Sequence, residues 1–234
     1  MLDILSFGDG GWGDEYARAT WLVVKLALAS LAVGTVLGLL GAWAKLSRSR
    51  AAQRLADAYT TVIRGVPELL VIWIVFFGTS IGLQKLFALF GQEGYVEIDA
   101  FASGTLALSV VFGAFATEVF RGAFLAIPRG QIEAAKALGM GRSLVFRRIQ
   151  FPQMVRYATP GLGNLWLVLL KDTSLVSVIA LDELIRTSRI AGEAMHEPFT
   201  FYFIAAMIYL GLTIVSMGTQ QRIETWANRG VERA

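Results

Sequence analysis

The chain is predicted to be an all-α integral membrane protein with five transmembrane helices, and three observations carry that prediction. Of 234 residues, 55% are hydrophobic and 17% charged, with a mean hydropathy of +0.57. The apolar residues come in runs of about 20 or more, the length that spans a hydrocarbon core, whereas a soluble domain spreads them in short periodic stretches. Lys and Arg gather in alternate loops, as sorting across a bilayer requires. Residues 1–234 read as one transmembrane domain, with no 20–50-residue repeat, low-complexity tract or soluble domain.

The first run, about 17–44, follows an acidic leader containing Asp3, Asp9, Asp14 and Glu15. That charge is wrong for the n-region of a cleaved signal peptide, so the run is read as a retained helix. Gly34 and Gly38 form a small-xxx-small pair with Gly41 three residues on, which suits close helix packing. Lys25 suits outward snorkelling. The second run, about 56–90, is too long for one straight crossing and contains Arg64-Gly65-Val66-Pro67-Glu68. Proline removes a backbone donor, so a short interfacial helix before Pro67 and a crossing helix after it are expected. Two readings of this break stay open: freed backbone groups facing a cavity beside Arg64 and Pro67, or a kink held by an Arg64–Glu68 pair.

The third run, about 100–127, carries Glu118 and Arg121 three residues apart on one helical face. Charges inside spans are costly and are paired or functional. Either these two neutralise each other in the bundle, or Glu118 lines a pathway with Thr117 and meets a cationic group. The fourth run, about 152–180, is interrupted towards its outer half by Lys171-Asp172-Thr173-Ser174. These residues either hold helices together or touch substrate. The fifth run is about 199–220. Trp12, Trp21, Trp43 and Trp226 fall near the predicted interfaces, as an aromatic belt would. The absence of cysteine excludes thiolate metal sites and disulfides, and the single histidine, His196, sits in an outer loop where no metal site is expected. Asp182-Glu183 and Glu193 read as a solvated acidic loop, or as a face turned towards an external partner.

Orientation follows from the basic residues. Segment 45–54 holds four, 128–156 holds six and the tail three, so thirteen lie on one side against four (Arg18, Lys85, Arg186, Arg189) on the other. Asp and Glu lean oppositely, eleven against three. Five spans with this bias put the N-terminus outside and the C-terminus in the cytoplasm. The net charge of +3 and isoelectric point near 9.3 would suggest nucleic acid in a soluble protein. Here topology explains them, and the expected contact is the lipid bilayer, with no nucleic acid.

The cytoplasmic loop at about 128–151 is unusually long, basic and Gly-punctuated. Glu133-Ala134-Ala135-Lys136-Ala137-Leu138 favours a helix with small side chains on one face. Gly139 and Gly141 let the backbone turn, and Leu144-Val145-Phe146 begins a second short helix. Such a knob could seat in a cleft of a cytoplasmic partner and transmit its movement. The alternative is an amphipathic hairpin lying on anionic lipid.

Glu133-Ala134-Ala135, three residues, Gly139, nine residues, Ile149, one residue and Phe151-Pro152 resemble the EAA loop of bacterial ABC-importer membrane subunits, with Phe151 for the usual leucine. The resemblance runs over essentially the whole chain. Tyr59 to Pro67, Thr117 to Phe124 and Lys171 to Val176 are similar to the polar amino-acid branch, in particular the Q-type subunits of histidine/lysine/arginine/ornithine and octopine/nopaline systems. The resemblance implies a type I ABC importer (MetI-like) permease fold in the bacterial inner membrane. It implies a heterodimer with a sister M-type permease subunit, an ATPase homodimer that binds ATP and Mg, and a periplasmic amino-acid-binding protein. It gives an ATPase-coupling role to Glu133, Ala134, Ala135, Gly139, Gly141 and Arg142. The substrate pathway is expected to involve Arg64, Pro67, Thr117, Glu118, Arg121, Asn164, Asp172 and Ser174. No Gly-x-x-x-x-Gly-Lys-Ser/Thr loop occurs in the chain, so it is not expected to hydrolyse ATP or to hold a cofactor of its own. Where several relatives carry Gly-Asn-Glu, this chain has Gly163-Asn164-Leu165. A substrate-binding acid is therefore expected from the sister subunit. The rival readings are a homodimeric secondary carrier or channel for amino acids, and a non-transporting scaffold.

Overall fold

A computed structural model describes residues 5–8, 11–89, 99–179 and 181–229. Asp3, Asp9, the ends of the second and fourth predicted runs (Phe90 and Ala180) and Arg233 lie outside the described residues. The described residues form α1 (Gly13–Leu46), α2 (Arg50–Gly65), α3 (Glu68–Leu89), α4 (Ala100–Leu125), α5 (Arg129–Ala137), α6 (Arg142–Val145), a π-helical turn (Phe146–Gln150), α7 (Phe151–Asp172), a 3-10 segment (Thr173–Ile179), α8 (Leu184–Met195) and α9 (Pro198–Ala227). Among the described residues, five segments are long and apolar enough to cross a membrane: α1, α3, α4, Arg142–Ile179 and α9.

The break at Pro67 divides the second run as its sequence suggests. Val66 is extended (φ −108°, ψ 143°), the conformation that a following proline imposes. The Pro67 carbonyl then accepts the amides of Leu70 (3.0 Å) and Val71 (3.2 Å) to start α3. Upstream, the Ser49 hydroxyl accepts the Ala52 amide and caps α2. Ala56 and Thr60 are buried while Arg50, Arg54 and Arg64 are exposed, so α2 is two-faced, as an interfacial helix must be. Tyr59 donates to the Val110 carbonyl at 2.7 Å and ties α2 to α4.

The bundle is built around α4, whose Ala107, Ala114 and Ala116 are fully buried and along which α1 makes the most extensive helix pairing. The glycines of α1 permit this: a Cβ at Gly34 would press into Phe112, at Gly38 into Ala116, and at Gly41 into Thr117. Between helices in lipid there is little hydrophobic driving force, so backbone approach and van der Waals contact supply the packing.

At the opposite end, Tyr16 of α1 bonds to the Ser188 hydroxyl of α8 (2.8 Å) and to the Phe201 carbonyl of α9 (3.0 Å). Glu183 corrects the reading of a solvated acidic loop, because its side chain is fully buried. Its carboxylate caps α8 by accepting the amides of Ile185 (2.9 Å) and Arg186 (3.1 Å), and the Tyr209 hydroxyl of α9 donates to it at 3.2 Å. Asp182 does remain exposed and pairs with Arg186. Burial pushes Glu183 up from 4.5 to about 7, despite those lowering hydrogen bonds. The folded chain therefore keeps this proton to higher pH than the unfolded chain. Its contribution to stability falls as pH rises from 4.5 to about 7 and is level above. Glu183→Gln is expected to flatten that fall while keeping the cap. Melting midpoints measured across this window that retain the wild-type slope in the variant would refute the assignment.

Candidate functional site

The loop after α4 folds into a small helical knob. The Pro128 carbonyl accepts the Gln131 amide (3.1 Å) at the start of α5. At its end, Gly139 lies at φ +78°, the Gly139 amide donates to Lys136 O (2.9 Å) and the Met140 amide to Ala135 O (3.1 Å). This is the Schellman closure, which requires a left-handed residue at that position. Gly141 has ordinary extended backbone (φ −65°, ψ 158°) that any residue adopts, so the expected need for glycine there is not seen; it serves as the N-cap of α6. The π-helical turn then runs straight into α7.

Two contacts fasten the knob to the spans. Phe124 at the end of α4 stacks on Phe146 of the π turn (6.4 Å between centroids), which meets Phe151 at the start of α7 (6.0 Å). Gln153 donates to Gln131 at 2.6 Å, joining α7 to α5. Ala135 is buried, with Ile132 packed against the main core. Of the small side chains of α5, Ala135 thus faces the chain's own interior. Glu133, Ala134, Arg142 and Leu138 are exposed, Leu138 at 83%. An apolar tip surrounded by charge is the composition of a docking surface rather than of a helix laid in the chain's own core.

At the base of α4 the structure assembles a charge cluster that sequence spacing revealed only in part. Arg121 Nε bonds Glu118 at 2.9 Å, as the three-residue spacing suggested. Lys45, at the end of α1, also reaches Glu118 (2.5 Å) and Asp57 of α2 (2.8 Å). Sequence reasoning counted Lys45 only towards orientation, since its partners lie 12 and 73 residues away. Glu118 is thus engaged by two cations. Thr117 is fully buried, donates to Gly113 O (2.7 Å) and packs on Gly41. Its expected place on a pathway gives way to a place in the α1–α4 interface, because its face of α4 is the one the glycines of α1 approach.

A cavity of about 20 Å³ lies between α3, α4 and α7, lined by Glu68, Phe115, Leu165, Val168 and Asp172 among others. That is room for about one water molecule. Leu165 occupies part of its wall, and two acids stand beside it. Asp172, two turns along α7, and Glu68, in the first turn of α3, line the same cavity. The Arg64–Glu68 pair does not form: Arg64 sits over the Phe115 ring at 5.4 Å. Pro67 immediately precedes the cavity-lining Glu68. Asn164 points to the exposed side of α7, and Ser174 donates to the Lys171 carbonyl at 2.6 Å. The cavity therefore gathers Asp172 and the neighbour of Pro67, but not Thr117, Glu118, Arg121, Asn164 or Ser174. Glu68 was the acid missed as a wall residue, and the signal for it was its place directly after the helix break. No group of His, Cys, Asp and Glu able to hold a metal occurs among the described residues.

Residues 11–229 match the family model described as binding-protein-dependent transport system inner membrane component. The chain is 51% identical to the nopaline transport system permease protein NocQ of Agrobacterium fabrum, over 98% of each chain. It is 41% identical to the histidine/lysine/arginine/ornithine transport system permease protein HisQ of Escherichia coli, over 96% of this chain and 98% of that one. Among solved structures, an amino acid ABC transporter with histidines superposes with a TM-score of 0.78 at 28% identity, covering 92% of this chain and 94% of the other.

Proposed function

Because the chain belongs to the family of inner membrane components of binding-protein-dependent transport systems, and shares the type I importer fold, we propose that it is the transmembrane permease subunit of an ATP-driven importer of basic amino acids or opines. The observation that carries this reading is the knob: a Schellman-closed helix with Leu138 outermost, clamped to both α4 and α7. The bias of thirteen cations against four supports a cytoplasmic position for it, with the N-terminus periplasmic and the C-terminus cytoplasmic. There the knob seats in an ATPase homodimer, which binds ATP and Mg. A sister M-type permease completes the membrane unit, and a periplasmic amino-acid-binding protein delivers the substrate.

The knob, α4 and the α1–α2 elbow form one mechanical unit in this account. Closure of the ATPases pushes the knob, the aromatic stack carries the push into α4 and α7, and Lys45 brings α1 and α2 along. The membrane unit rearranges as rigid bodies and the cavity changes the side to which it opens. The basic or opine class is supported by the names of the relatives and by the carboxyls of Glu68 and Asp172 on the cavity wall. One water's worth of space cannot hold an amino acid, so the site opens between this chain and its sister. No bond in the substrate is broken.

Proteoliposomes containing this chain, its sister, the ATPase and the binding protein are expected to accumulate arginine or an opine only with internal ATP. Cysteines at Ala134 should crosslink to the ATPase. Uptake that follows an ion gradient and survives omission of the ATPase would overturn the proposal.

A further inference from the structure

A second, larger cavity, of about 490 Å³, lies between α1, α7 and α9, walled by Leu28, Leu31, Leu162, Trp166, Val215 and Ile223 together with smaller polar residues. All three helices belong to membrane-crossing segments, so the groove lies at bilayer depth. It opens on a different face of α7 from the Leu165 cavity, about a third of a turn round the helix axis. Three of its polar side chains bond within their own helices. Thr159 donates to Val155 O (2.7 Å), Thr219 to Val215 O (3.0 Å), and Gln220 to Glu224 Oε1 (2.9 Å).

The end of the groove is different. One turn beyond Thr159 stands Arg156, whose Nε donates to Asn228 Oδ1 of α9 at 2.9 Å. No carboxylate pairs with Arg156 among the described residues. Beside it stands Glu224, whose backbone carbonyl accepts from the same Asn228 side chain (2.9 Å). A guanidinium and a carboxylate, both joined to Asn228, thus stand just outside the lining, one turn beyond Thr159 and one residue beyond Ile223. We propose that the groove binds a phospholipid with an aminoethyl phosphate headgroup, its acyl chain along the wall, its phosphate at Arg156 and its ammonium at Glu224. The orientation given above places that lipid in the cytoplasmic leaflet; the site itself does not depend on it.

The test is native mass spectrometry of the full-length chain with its partner subunits, stripped of lipid and reloaded from an equimolar mixture of phosphatidylethanolamine and phosphatidylglycerol. Wild type is expected to retain phosphatidylethanolamine in preference. Ser216→Trp, which fills the groove, should lower retention at least tenfold, Arg156→Gln should weaken both lipids, and Glu224→Gln should erase the preference. Equal retention of the two lipids by wild type, or unchanged retention in the Ser216→Trp protein, would overturn the proposal. So would efficient crosslinking of a cysteine at Ser216 to the sister chain in preference to lipid.

Discussion

Gly139→Val is expected to abolish uptake while the chain still inserts and assembles. Gly139 holds φ +78°, where a side chain costs about 1–2 kcal/mol and a β-branched one more. Nothing lies within 4 Å of the position a Cβ would take, so the penalty is one of backbone conformation, without a steric clash. Relief of it would break the hydrogen bonds that the Gly139 and Met140 amides donate to the Lys136 and Ala135 carbonyls and turn α6 away from α5. Asparagine tolerates this conformation far better than valine, so Gly139→Asn should keep most of the activity. Uptake and ATPase stimulation by loaded binding protein would be measured side by side. Wild-type rates in the valine protein would remove the knob from the mechanism.

Lys45→Met should be the most damaging single change at the base of α4. The Lys45 side chain is 9% exposed and Glu118 is 21% exposed, so the methionine leaves a partly buried carboxylate with only Arg121. Loss of one of its two cationic partners costs about 1–3 kcal/mol, and the lower yield of folded protein in detergent would report it. Adding Glu118→Gln should restore more than half of the loss, since the stranded charge is then gone and Arg121 is wet enough to stand alone. If the single variant matched wild type in stability and in coupling of hydrolysis to uptake, the cluster would be ornamental. Full rescue of stability with coupling still lost would locate the role of Lys45 in transmission.

What could be read without coordinates followed the range of the forces involved. Span length is a local property, and the five apolar runs and the break at Pro67 appear in the structure where local hydrophobicity and proline chemistry put them. The α1 glycine stripe and the Glu118–Arg121 pair were legible for the same reason: helical periodicity alone brings three- and four-residue neighbours together. Lys45 beside Glu118 and Glu68 beside Asp172 were not, because these partners meet only once separate helices have packed. Glu183 misled in the opposite sense. Beside Asp182 it looks like part of an acidic surface loop, yet it caps α8 and takes the Tyr209 hydroxyl from a helix that begins 15 residues later. Thr117 and Ala135 each lie on a particular side of a helix, and only the neighbouring helix decides what that side means.

The π-helical turn from Phe146 to Gln150 acts as a phase shifter. A π turn carries one residue more than an α turn, and each residue of an α-helix rotates the chain by about 100°. Removing one residue from that stretch would restore an unbroken α-helix and improve its local bonding. It would also swing everything upstream, Leu138 included, about a quarter-turn or more around the axis of α7. The irregular turn therefore fixes the compass bearing on which the handle is offered, and a straighter helix would offer it in the wrong direction.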